Sequence, residues 1–164
     1  MKMSKKISGF ILSISTLVIM IQGCIEKPAA TIYVEIGQDM IADLAAKEIR
    51  KYFYQRTGEF LPVVSWTKGD AVRGDAIFVG NNSSALIRSA GYEFPDMGQD
   101  DFIIKTIASD GPKKLLVCGG SNIGTLYGAY YLAEQLGVGF YLDGDVIPDR
   151  KIEFAFPELD IKQT

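Results

Sequence analysis

The 164-residue chain has no histidine, two cysteines and one tryptophan. Without histidine, Ser-His-Asp and Cys-His nucleophilic machinery is excluded and the commonest zinc ligand is missing. Cys118 lies in the apolar run "LLVC" (115–118) and has no partner for an intrachain bridge. It reads as a small buried hydrophobe. Lysine is absent between Lys114 and Lys151, which bears on phosphate binding below. Internal repeats and low-complexity segments are absent as well. The formal net charge is −3, and an acidic balance argues against nucleic acid or anionic lipid as the main partner.

The N-terminus carries what looks like an export signal. Lys2, Lys5 and Lys6 precede an apolar stretch from Ile7 to Ile21 that is interrupted by small polar residues. Its length and serine content fit a signal peptide better than a membrane span. The stretch ends in Gln22-Gly23-Cys24. A small residue directly before a cysteine resembles the lipobox of bacterial lipoproteins, in which the cysteine is acylated and becomes the new N-terminus. Gln22 departs from the small or hydroxyl residue usual at its position. An ordinary signal peptide with an incidental cysteine is the other reading. The resemblance implies a lipid anchor at Cys24 and, with Ile25 rather than an aspartate following, the outer membrane. Two or more acyl chains suffice for stable anchoring. Removal of residues 1–23 takes away three lysines and no acid, leaving 141 residues with a net charge of −6. That length supports one domain with a real core.

Residues 25–30 form a short tether. A β-branched and aromatic run at 31–36 predicts a strand. Asp39 is placed to cap a helix that begins at Met40, with Ile41, Leu44, Ala45, Ile49, Tyr52 and Phe53 on its apolar stripe and Gly58 closing it. Further strands are expected at 61–66, 76–80, 102–109, 114–119, 139–142 and 151–156. A short helix is expected within 81–91 and a long one over 122–136. The two strands around "DGPK" form a plausible hairpin. This order predicts an α+β domain in two layers, a mixed β-sheet with helices packed mainly on one face. Residues 157–164 read as a connector.

The stretch "CGGSNIGTLYG" (118–128) follows a strand and opens the long helix, with Asp143 about 20 positions on, as in a dinucleotide-binding turn. The spacing of Gly119, Gly120 and Gly124 misses Gly-x-Gly-x-x-Gly, and no Gly-Lys-Ser/Thr ends it. Close packing explains the glycines better: Gly120, Gly124 and Gly128 recur every four residues, with Ala129 and Ala133 nearby. Ser121 or Asn122 is the expected N-cap. Tyr127, Tyr130 and Tyr131 spread around the helix, so at least one faces solvent or a partner. No cofactor and no metal is expected.

The stretches "DLAAKEIRKYFYQRTGEFLPV", "AIFVGNN", "DDFIIKTI" and "LLVCGGSNIGTLYGAYYLAEQLGVGFYLDGDVIP" together resemble the N-terminal domain of multidomain glycoside hydrolases. The family 67 α-glucuronidases and the related second domain of bacterial β-hexosaminidases are the nearest images. The resemblance covers residues 31–156 and is most specific over 120–140. It implies a two-layer accessory domain that precedes a catalytic (β/α)₈ barrel, which would be its partner beyond the 157–164 connector. In these families the barrel carries the catalytic carboxylates, so no residue here is carried over as catalytic. The acidic pairs Asp100-Asp101 and Asp143/Asp145 read as solvated loop or turn residues, and the latter lacks a full set of calcium ligands. An independent enzyme is weighed lowest, because histidine and any recognisable nucleophile motif are missing, and two functions stand above it. One is the accessory domain of a lipid-anchored, polysaccharide-degrading hydrolase. The other is a surface lipoprotein that captures glycans on Trp66, Tyr52, Tyr54 and Tyr92 without hydrolysing them.

Overall fold

The computed structural model describes residues 27–37, 39–107 and 110–164. In chain order the elements are β1 (Thr31–Glu35), α1 (Met40–Thr57), β2 (Val63–Trp66), β3 (Ala76–Asn81), α2 (Ala85–Arg88), β4 (Phe102–Ile107), β5 (Lys114–Gly119), α3 (Asn122–Gln135), β6 (Gly139–Tyr141), β7 (Gly144–Val146) and β8 (Asp160–Gln163). Six strands form one sheet in the order β2-β1-β3-β5-β4-β8, and β6 and β7 pair as a separate hairpin. The first four strands of the sheet are mutually parallel, whereas β4 runs antiparallel to both β5 and β8.

Strand alternation divides the core between the two faces. Ile32, Val34, Ile77, Val79, Leu115 and Val117 point to one face. There they meet Ala45, Ile49 and Phe53 of α1 and Ala129 and Leu132 of α3. Their neighbours Tyr33, Phe78, Leu116 and Cys118 point to the other face, covered by Trp66 and by Leu86 and Ile87 of α2. Both long helices therefore share one face, and the mixed α+β sheet is the expected architecture. The expected caps are in place. The Asp39 side chain accepts from the Ile41 amide, and Gly58 adopts a left-handed φ of 86° while its N–H closes onto Tyr54. The α1 stripe needs one amendment: Leu44 is 40% exposed and belongs to the surface.

The end of the chain departs from expectation. Residues 151–156 form no strand. Phe154 and Phe156 pack instead against the main core as an irregular segment, and the Ile152 amide bonds to the carbonyl of Arg56. The strand lies further on, at β8, within the stretch read as a connector. Residues 160–163 pair with the free edge of β4, Ile161 opposite Ile104 and Asp160 opposite Lys105, where the two side chains form an ion pair. An edge strand exposes most of its side chains, so "DIKQ" carries almost no apolar pattern to reveal it.

Cys118 is fully buried, and burial pushes its thiol up to about 12. Only the thiolate is nucleophilic. Iodoacetamide at pH 8 is therefore expected to leave Cys118 unmodified in the folded chain and to alkylate it after denaturation, as peptide mapping would record. The same shift sets a pH dependence. Below about pH 9 both states keep the proton; above it the unfolded chain loses a proton that the folded chain retains, so this contribution falls away as pH rises toward 12.

Candidate functional site

In open sheets of parallel strands, ligands bind outside the carboxyl ends, where the strand order reverses. Here that point lies between β1 and β3, and the chain's own groups fill it. One carboxylate oxygen of Glu35 accepts from the Ser84 hydroxyl at 2.6 Å and from the Ala85 amide at 2.7 Å, occupying the start of α2. Alongside, the Asn81 amide donates to Asn122 at 2.6 Å, and Asn122 donates to Asp39 at 3.4 Å. Ser121 caps α3 by accepting from Ile123 and Gly124 and donates to the Gln99 carbonyl. Among the described residues no buried side-chain nitrogen or oxygen lacks a partner. This end of the sheet is polar but closed.

The glycine turn is a packing device. A β-carbon on Gly120 would overlap the Gly98 carbonyl, and one on Gly124 would overlap the Asp101 carbonyl and reach Gln99 O at 2.9 Å. The loop 98–101 thus lies directly on the start of α3, and the Gly120 amide donates to Asp101 O. No room is left there for a phosphate.

The acidic candidates sit on different segments. Asp100 and Asp101 sit in that loop, beside the N-terminus of α3, and Asp101 accepts from the Gly98 amide at 2.7 Å. Asp143 and Asp145 sit on the β6–β7 hairpin that follows α3 in the chain. The hairpin folds back on the two helices, Phe140 against Tyr130 of α3 and Asp145 against Tyr52 of α1. Asp145 is moreover committed: it accepts the Tyr52 hydroxyl at 2.7 Å, and that hydroxyl accepts from Lys51 at 3.0 Å. Burial, then the bond to Asp145, raises the Tyr52 phenol to about 12. With Tyr130 and Phe140 packed edge-on against Tyr52, the cluster clamps the hairpin onto the helices. No group of metal-ligating side chains occurs among the described residues.

Comparison with known proteins gives the scaffold a family. The model of the glycosyl hydrolase family 67 N-terminus matches residues 20–132, more than half of the chain. The chain belongs to this family. Among solved structures, a family GH115 4-O-methyl-α-glucuronidase with specificity for decorated arabinogalactans superposes with a TM-score of 0.60 at 19% identity, over 84% of this chain and 17% of that one. This likeness is one of fold. A family GH138 enzyme targeting pectin rhamnogalacturonan II aligns with a TM-score of 0.39 at 14% identity, over 66% of this chain and 13% of that one. The chain thus spans less than a fifth of the length of either protein. No curated protein matches the sequence.

Within this family 67 N-terminal domain, the four aromatic candidates differ in exposure. Trp66 and Tyr52 are buried, 5% and 1% exposed, and the Trp66 indole donates to Asp70 O. Tyr92 stacks edge-on with Phe94, leaving Tyr54 beside Phe60 as the half-exposed member of the set. Tyr127 does face solvent, as expected for one of the three helix tyrosines. What the residue pattern concealed is its company. Met40, Leu44, Ile123 and Tyr127 are all exposed in the first turns of α1 and α3, and Ile36 is exposed just before α1. Helical spacing marks apolar positions but does not tell a core contact from a surface one. Cys24 and the export signal lie outside the described residues. No described helix is long and apolar enough to cross a membrane.

Proposed function

We propose that this chain is the non-catalytic N-terminal accessory domain of a larger glycoside hydrolase that degrades polysaccharide. The match to the glycosyl hydrolase family 67 N-terminus carries this reading. The closed strand ends support it: loop 98–101 fills the glycine turn, and Asp145 is taken up by Tyr52. In this reading the parent is exported and held at the bacterial envelope, on the outer membrane, through an acylated Cys24, and its catalytic barrel follows the connector. The glycan-capturing alternative is disfavoured by the burial of Trp66 and Tyr52.

Sequencing the gene past codon 164 tests the reading. A strand-helix repeat of barrel type is expected in frame, and a stop codon would sink it. The 164-residue chain is expected to release no sugar from glucuronoxylan or chitin oligosaccharides, whereas the parent cleaves one such class. Metabolic labelling with a fatty-acid analogue should tag the parent and not its Cys24→Ser variant.

A further inference from the structure

We infer that the end of the domain formed by the carboxyl ends of β1, β3 and β5 docks onto the module that follows β8 in the same polypeptide; this rests on the accessory-domain reading above. The first observation is exposure. Ile36, Met40, Leu44, Ile123 and Tyr127 are 64%, 81%, 40%, 38% and 47% exposed. The Asn122–Asp39 hydrogen bond brings the starts of α1 and α3 side by side, so all five lie at one end of the molecule. The polar groups beneath them bond to one another, which leaves apolar contact as what this end offers. Exposed apolar groups gathered in one region mark interaction sites, unlike those scattered singly.

The second observation is direction, and it names the occupant. β4 is antiparallel to β5, and β8 is antiparallel to β4. β8 therefore runs parallel to β1, β3 and β5. Gln163 lies opposite Phe102, and Phe102 lies opposite Gly119. The chain leaves β8 level with the last residue of β5 and about 10 Å from it, two strand spacings across the sheet. A module that begins there starts beside the apolar end. Exposed Asp100 stands beside it, in the loop next to the start of α3, so the complementary face is apolar with lysine or arginine at its edge. A second group of exposed apolar residues, Tyr141, Leu142 and Val146, lies on the β6–β7 hairpin, which packs on Tyr52 and Tyr130. It serves as an internal control.

Hydroxyl-radical footprinting of the parent protein, expressed from its whole reading frame, tests the assignment. Met40 and Tyr127 should be labelled roughly tenfold more slowly in the parent than in the 164-residue chain, as in a packed interface core. Tyr54 and Tyr141 should keep their rates. Ile123→Asp, a change at an exposed position, should restore labelling of Met40 and Tyr127 in the parent. Unprotected Met40 and Tyr127 in a parent that does continue past codon 164 would overturn the docking surface and leave the accessory-domain reading intact. Protection that disappears on dilution would assign the surface to a second copy of the chain, and also overturn the inference. A reading frame that stops after codon 164 would remove both.

Discussion

Gly124→Ala is expected to destabilise the domain by at least about 3 kcal/mol, although alanine is the better helix former. In an exposed helix interior the exchange would gain up to about 1 kcal/mol. Here the added carbon has nowhere to go: it overlaps the Asp101 carbonyl and crowds Gln99 O. Both obstacles are backbone, so no rotamer change relieves them. The loop 98–101 or the start of α3 must move, and that movement breaks the Gly120–Asp101 and Ser121–Gln99 hydrogen bonds. Forced overpacking costs about 1–3 kcal/mol, and each lost bond adds about 1 kcal/mol. Gly128→Ala, four residues on, is the matched control. Its β-carbon would meet the Val117 and Phe102 side chains at 3.3 and 3.4 Å, contacts that small shifts accommodate. It is expected within about 1 kcal/mol of the unmodified chain, because helix propensity offsets the tighter packing. Urea denaturation of the three proteins side by side checks the contrast. Equal midpoints for Gly124→Ala and the unmodified chain would show that the loop does not lie on the helix.

This pair of glycines also shows how far the residues alone could be read. Their four-residue spacing pointed to a close approach, while the offsets of Gly119, Gly120 and Gly124 and the missing lysine excluded a phosphate loop, because each nucleotide motif needs particular groups at particular offsets. The partner in the approach was not legible. Loop 98–101 has no periodicity, and nothing in "MGQDD" announces that it lies on the helix 20 residues later. The caps at Asp39, Gly58 and Ser121 were readable for the opposite reason, since a cap is decided by residues within one turn. β8 was missed because edge pairing uses backbone groups and leaves the side chains free to be polar. The exposed apolar end was missed because Met40, Leu44 and Ile123 have the composition of a core stripe. What sets them apart is where the sheet stops, a property of the whole fold. The same limit applies to Glu35, whose bonds to Ser84 and Ala85 span 49 and 50 residues.

Arg56→Ala should cost about 3 kcal/mol and loosen one particular region. Arg56, in the last turn of α1, is a buried cation, 5% exposed, and among the described residues it forms no ion pair with a carboxylate. Its Nε donates to Leu136 O at 2.7 Å, and its Nη1 donates to Pro148 O and Arg150 O at 2.7 and 2.8 Å. Leu136 is the C-cap of α3, where unpaired carbonyls and the negative end of the helix dipole favour a cation. One side chain thus ties together the ends of both long helices and the segment that follows the β6–β7 hairpin. Hydrogen bonds to a charged group contribute about 1.5–3 kcal/mol each when buried. Water can replace part of the loss along exposed 148–150, which brings the expected total to about 3 kcal/mol. Arg56→Lys keeps the charge but not the fork that reaches three carbonyls in different directions, so it should recover less than half. Hydrogen exchange gives the local signature. The Ile152 amide, bonded to the Arg56 carbonyl, should exchange much faster in Arg56→Ala, while amides of β3 and β5 change only with global stability. A loss below about 1 kcal/mol, or uniform loosening across the sheet, would mean that the clasp does not hold this segment.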